Sequence, residues 1–184
     1  LRHFGAELRV EDVSSGGRKI TVSGQPELSA QALSVPADFS SAAFPLAAAL
    51  IVPGSDVLLR NVGINPLRGG LLECVREMGG AVELRNMKEI SGEPVADIAV
   101  RVAKLHGIEV AAARAPSMID EYPVLAVLAA CAEGPSRLCG LDELRHKESD
   151  RFAAIVAGLS AAGCTVSVDQ DDILITGAGA PLPG

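Results

Sequence analysis

A helix tail that ends at glycine, a short alternating strand, a polar turn and a second alternating strand occur three times in this chain. The copies are "HFGAELRVEDVSSGGRKITVSG", "EMGGAVELRNMKEISGEPVADIAVRV" and "AAGCTVSVDQDDILITG", anchored at Gly5, Gly80 and Gly163. Glycine ends a helix in the left-handed conformation without a steric penalty, and strict alternation gives each strand one apolar face. Every copy therefore predicts a helix C-cap followed by a β-hairpin. The segments between hairpins also match: "ALSVPADFSSAAFPLAAALIVPGSDVLLRNVG" and "GIEVAAARAPSMIDEYPVLAVLAACAEGPSRLCGL" each read strand, loop, apolar helix, turn, strand. A second helix follows in each, with Leu67, Leu71, Cys74, Val75 and Met78 on one face of the first and Phe152, Ile155, Val156 and Leu159 on one face of the second. The repeating unit is βαβαββ, roughly 75–85 residues long. The chain holds the end of one unit and two complete ones, 30–103 and 104–177, an α/β fold with mixed (α+β-type) sheets.

The first helix of each complete unit, over Ser40–Ile51 and Ile119–Ala130, is apolar nearly all round and is expected to be buried. Pro45 and Pro123 are read as lying in first turns, where the missing N–H is tolerated. The core to receive these helices must be built from Ala, Leu and Val, because 48% of the 184 residues are hydrophobic yet there is no Trp, one Tyr and four Phe. No apolar run is long enough to span a membrane and no signal peptide is visible. A net charge of −7 argues against nucleic acid as a partner. Cys74, Cys131, Cys139 and Cys164 have no paired spacing, and His3, His106 and His146 are scattered. A metal site is not expected, and the thiols read as reduced core residues of a cytoplasmic protein. The chain opens on Leu1 in what reads as a helix tail, and it is taken as a piece of a longer protein.

Three polar clusters interrupt this background, each at a helix start. Asp38, Ser40 and Ser41 are either a helix cap or an anion site on free backbone N–H groups. Asp120 and Glu121 are either dipole-complementing acids or the source of a general base. In "DELRHKESDR", residues 142–151, Ser149 or Asp150 is a candidate cap, which leaves Arg145, Lys147, Glu148 and Arg151 over. On a helix Lys147 and Arg151 share a face and Glu148 reaches Arg151. That is either a solvated charged turn or a grip for a phosphate or carboxylate with an acid–base group beside it.

The strings "VPADFSSAAFPLAAAL", "RNVGINPLRGGL", "APSMIDEYPVLA" and "DELRHKESDRFAA", in this order, resemble the 5-enolpyruvylshikimate-3-phosphate synthase (3-phosphoshikimate 1-carboxyvinyltransferase) family, most closely its bacterial class II branch, over essentially the whole chain. The resemblance implies the enolpyruvyl transferase fold of two lobes, each of three βαβαββ units. Residues 1–84 would then end one lobe and 85–184 begin the other, with the crossing near Leu84–Glu93. It implies transfer of the enolpyruvyl group of phosphoenolpyruvate to the 5-hydroxyl of shikimate 3-phosphate, with no cofactor, in a parent expected to be monomeric. By that resemblance Asp120 handles the hydroxyl proton and Lys147 contacts the hydroxyl and phosphoenolpyruvate. Glu148 exchanges a proton with the methylene carbon, Arg151 binds the phosphoenolpyruvate carboxylate or phosphate, and Ser41 contacts shikimate 3-phosphate. The chain departs from the family pattern at Ala37, where glycine is usual, at Phe44, often a substrate-stacking tyrosine, and at His146. The alternatives are the sister enolpyruvyl transferase acting on UDP-N-acetylglucosamine, and a scaffold fragment without activity of its own.

Overall fold

Helices α1 (Phe39–Ile51) and α3 (Tyr122–Cys131) set the layout, because neither has a polar face to turn toward water. In the computed structural model, which describes residues 1–14 and 17–181, the two pack against each other. Leu46, Leu50, Leu125, Leu128 and Tyr122 are fully buried. Amphipathic helices α2 (Gly70–Glu77) and α4 (Arg151–Ala161) add Leu71, Cys74 and Val75, and Phe152, Ile155 and Leu159, to the same core. In the longer pattern read for α2, Leu67 is exposed, since Pro66–Arg68 is a separate 3₁₀ turn and the helix begins only at Gly70.

The strands follow the repeat. The first hairpin is β1 (Leu8–Asp12) with β2 (Arg18–Val22); its expected turn at Ser15 and Gly16 lies outside the described residues. Strands β3 (Asp56–Gly63), β4 (Ala81–Ile90) and β5 (Glu93–Arg101) form a sheet ordered β3-β5-β4, and a single parallel bridge, Ala37 to Val62, stands where the unit's first strand was expected. Strands β6 (Glu109–Val110), β7 (Glu133–Leu138), β8 (Thr165–Asp169) and β9 (Asp172–Ala178) form the sheet β6-β7-β9-β8 with β6 parallel to β7. With the bridge counted as a strand, the two sheets have the same order and the same directions, which is the βαβαββ repeat in three dimensions.

Gly79, not Gly80, takes the left-handed position after α2, with φ of +84°, matching Gly5 at +95° and Gly163 at +79°. Gly80 is glycine for another reason, because a Cβ there would lie 2.5 Å from Val75 Cγ1 and 2.8 Å from its carbonyl oxygen. Both outer strands of the first sheet carry a register shift, between Leu59 and Val62 and between Arg85 and Lys88. Asn61 and Asn86 take positive φ there, a conformation asparagine tolerates better than most residues. Asp97 on the central strand ties the two irregularities together. Its Oδ1 accepts the Asn61 backbone N–H and its Oδ2 accepts Asn86 Nδ2, each at 2.8 Å.

One reading needs correction. Pro45 lies in the second turn of α1 rather than its first; it leaves the Ser41 carbonyl without the bond a residue 45 N–H would supply. The lobe crossing expected near Leu84–Glu93, with 1–84 and 85–184 as separate bodies, is not marked by a thin link. That stretch is the paired β4–β5 hairpin, and β5 lies between β3 and β4 in one sheet. Ala103 N donates to Leu50 O at 3.1 Å, His106 N donates to Met78 O at 3.0 Å, and one hydrophobic cluster runs from Phe39 to Ile175.

Two tests follow from this packing. Urea unfolding of the chain, followed by circular dichroism and by tyrosine fluorescence, is expected to give one coincident transition; two separated transitions would contradict the shared core. Leu46→Ala should cost about 2–5 kcal/mol, while Phe44→Ala, at a site 66% exposed, should change stability by less than about 0.5 kcal/mol.

Candidate functional site

The charged stretch 142–151 does not form one helix. Asp142–His146 is a 3₁₀ turn, Lys147 is extended at φ −79° and ψ −168°, and α4 starts at Arg151 with Asp150 as its cap. The Asp150 carboxylate accepts the Ala153 N–H at 2.9 Å, so Asp150 rather than Ser149 is the cap. Arg145 is taken up by structure. It stacks on the Phe152 ring at 3.7 Å and meets Asp171 at 3.4 Å and the Gln170 carbonyl at 3.2 Å.

Lys147 and Arg151 therefore do not share a helix face as the spacing suggested. They meet instead through Asp120, carried by the 3₁₀ turn Ile119–Glu121 that leads into α3. Arg151 Nη1 donates to Asp120 Oδ1 at 3.0 Å, Lys147 Nζ lies 4.0 Å from the same oxygen, and Arg151 Nη2 donates to Glu148 Oε2 at 2.8 Å. Lys147 is also paired with Glu143 at 3.0 Å, and that bond, more than any other neighbour, raises its pKa and keeps it cationic. Glu148 is held below the ordinary carboxylate range, first by its own backbone N–H and then by the charge of Arg151. The result is a small, partly exposed cluster of three carboxylates and two cations, in which an acid–base group stands beside groups able to bind an anion.

At the start of α1, Asp38 Oδ2 accepts the Ser41 N–H at 2.7 Å and the Ser41 hydroxyl at 2.8 Å, so Asp38 is a helix cap. These bonds, the backbone one first, hold its carboxyl below its ordinary value of 3.8. Ser41 and Phe44 are exposed one turn apart on the same side of α1. The two helix starts adjoin: Ser40 Oγ donates to Glu121 Oε1 at 2.5 Å, and Arg68 Nη2 donates to Ser40 Oγ at 2.7 Å. Ser40, one residue before Ser41, thus ties the first turn of α1 to the turn that carries Asp120.

Glu121 is not a second general-base candidate, because it is buried beneath Ser40 and only 3% exposed. Arg68 was missed in the sequence. It stands in "NPLRGG", where Asn65 caps the turn by accepting the Leu67 N–H at 2.9 Å, and nothing local marks it as reaching α1. Cys74, Cys139 and Cys164 are free thiols. Among the described residues no group of three or more His, Cys, Asp and Glu side chains is placed to hold a metal ion, and no helix is long and apolar enough to cross a membrane.

The sequence model of the EPSP synthase (3-phosphoshikimate 1-carboxyvinyltransferase) family matches residues 1–183. The 3-phosphoshikimate 1-carboxyvinyltransferase of Granulibacter bethesdensis is 55% identical over the whole chain, which covers 41% of that protein. That of Rhodospirillum rubrum is 56% identical over 97% of the chain and 40% of its own length. The chain thus spans about 40% of the curated relatives it matches. Among solved structures, EPSP synthase from Acinetobacter baumannii superposes with a TM-score of 0.90 at 40% identity, covering 97% of this chain and 39% of that one. The enolpyruvyl transferase NikO from Streptomyces tendae, at a TM-score of 0.67 and 18% identity over 97% of this chain and 38% of its own, is alike in fold alone.

The Asp38 cap gives a pH test. Its folded pKa is depressed, so its contribution is present above the ordinary aspartate value of 3.8 and is lost as pH falls through the lower folded value. Asp38→Ala should cost about 1 kcal/mol at neutral pH. The gap between the two proteins' denaturation curves should close below pH 4; a gap unchanged by acid would contradict the ionised cap.

Proposed function

The chain belongs to the EPSP synthase (3-phosphoshikimate 1-carboxyvinyltransferase) family, and from that premise we propose that it supplies part of the site of an enzyme that transfers the enolpyruvyl group of phosphoenolpyruvate to the 5-hydroxyl of shikimate 3-phosphate. The observation that carries this reading is the placement of Asp120 between Lys147 and Arg151, with Glu148 on the far side of Arg151.

In the addition step Asp120 accepts the proton of the 5-hydroxyl, the hydroxyl oxygen bonds to C2 of phosphoenolpyruvate, and the methylene C3 takes a proton from Glu148. In the elimination step a C3 proton returns to Glu148, the C2–C3 double bond reforms and phosphate leaves from C2 with the proton that Asp120 had accepted, which restores both carboxyl groups to their starting forms. Glu148 is ionised at rest, in part because Arg151 pairs with it. An incoming carboxylate or phosphate that takes the Arg151 guanidinium removes that partner and brings negative charge beside Glu148; both raise its proton affinity. Substrate binding thereby loads the acid that the addition step needs. Lys147, kept cationic by Glu143, steadies the charge that develops on the 5-oxygen.

Ser41 and the exposed ring of Phe44 form the neighbouring face for shikimate 3-phosphate. The reading carries with it a monomeric, cytoplasmic enzyme that needs no cofactor; free thiols accord with a reducing compartment.

Phosphate release, assayed with both substrates in an enzyme of full family length containing this segment, tests the assignment. Asp120→Ala and Glu148→Ala should lower kcat by about 10²–10⁴-fold with much smaller changes in KM. Arg151→Ala and Lys147→Ala should raise the KM for phosphoenolpyruvate, as a charge-assisted contact to an anion is lost. The 184-residue chain alone should release no phosphate. Full activity of the Glu148→Ala enzyme would refute the proton-transfer role.

A further inference from the structure

Glu121 presents a carboxylate that is 3% exposed, between Asp120 and the fully buried Tyr122. Its hydrogen-bond partner, Ser40, is 81 residues away in the chain. The Ser40 hydroxyl is fixed from both sides, since its proton goes to Glu121 Oε1 at 2.5 Å and its oxygen accepts Arg68 Nη2 at 2.7 Å. The Arg68 guanidinium lies 3.9 Å from Glu121 Oε1 and 3.8 Å from Asp38 Oδ1. Asp38 in turn holds the backbone and hydroxyl of Ser41. One polar chain therefore runs Glu121, Ser40, Arg68, Asp38, Ser41. It joins the turn that carries Asp120 to the first turn of α1, with the 66–68 turn as the connecting piece.

We infer that Glu121 is a positioning residue: through Ser40 and Arg68 it fixes the Asp120-bearing turn against the start of α1, so that the proton-handling carboxylate and the Ser41 face keep one geometry. This rests on the transfer reaction proposed above and extends it to residues that touch neither reactant. Packing alone does not call for a carboxylate here. A buried acid is expensive unless it is paired and hydrogen-bonded, and an apolar side chain of the same size would fill the space at less cost. What the acid adds is direction, since a hydrogen bond sets the angle between two helix starts in a way that non-directional apolar contact does not. Asp120 and Glu121 share a single 3₁₀ turn, so any change in the backbone at Glu121 re-aims Asp120.

The test measures kcat, both KM values and the binding of shikimate 3-phosphate alone in the full-length enzyme, well below the Tm of each variant. Glu121→Ala is expected to lower kcat by up to about 100-fold, the cost of misplacing a reacting group by about 1 Å, with little change in the KM for phosphoenolpyruvate. Ser40→Ala should show the same split, and the double variant should be no worse than the poorer single one, since the two act through one bond. Glu121→Gln, which keeps an oxygen for the Ser40 proton, should recover most of the loss, and it keeps the question decidable if Glu121→Ala fails to fold.

An unchanged kcat in folded Glu121→Ala, strictly additive losses in the double variant, or Gln as damaging as Ala would each overturn the inference. In those cases an active parent leaves the transfer reading standing. A parent that releases no phosphate from the two substrates overturns the transfer reading itself.

Discussion

Mutual burial of α1 and α3 is the constraint on which the rest of the molecule depends. α3 is buried or half-buried along its whole length, α1 is covered on all but the face of Ser41, Phe44, Pro45 and Ala48, and neither sheet alone can give that cover. A fully buried leucine is worth about 1.5–3 kcal/mol relative to an exposed one, and Leu46, Leu50, Leu125 and Leu128 are all at zero exposure. Packing of that strength brings two helix starts side by side. A helix start is also where backbone N–H groups lack partners and polar residues belong. The clusters around Asp38 and Asp120 are thus neighbours because the apolar parts of the helices behind them are neighbours.

The repeat and the element types were legible in the sequence because both rest on local periodicity: alternation in the hairpins, 3.6-residue spacing in α2 and α4, glycine where a helix turns out. What was not legible depends on contacts distant in sequence. Gly79 and Gly80 stand side by side, and only φ and the distance to Val75 show which one ends the helix. Leu67 fits the period of α2 but precedes its first residue, because Pro66–Arg68 makes its own turn. The division of the chain at the hairpin 81–101 came from the family resemblance and not from any local signal. The fact that its second strand lies between two others belongs to the pairing with β3, some 40 residues earlier.

The site shows the same division. Asp120, Lys147, Glu148 and Arg151 were identifiable by residue type and order, and they do converge. The reason supplied by helical spacing was wrong. Lys147 is extended and α4 begins at Arg151, so the two cations meet by reaching Asp120 from separate backbone segments. Nothing local marks Arg68, or shows that Glu121 reaches Ser40 rather than capping its own helix. A lone arginine after Asn-Pro-Leu reads as surface, and an acid before a buried helix reads as a cap. Their role exists only once three distant segments have been assembled.

Burial divides the assembled site into a part that is costly to disturb and a part that is cheap to rearrange. The Arg151 contacts to Asp120 and Glu148 are made by partly exposed side chains, and ion pairs of that kind contribute about 0–1 kcal/mol in water. An arriving polyanion that offers the guanidinium two oxygens in place of the carboxylates meets little resistance. The Ser40–Glu121 bond lies beneath, with Glu121 out of solvent, and breaking it strands a buried carboxylate, at a cost of several kcal/mol. Charge can therefore be exchanged at the surface of the site while its floor keeps its shape. A reaction that binds one anion, moves a proton and releases another needs that combination.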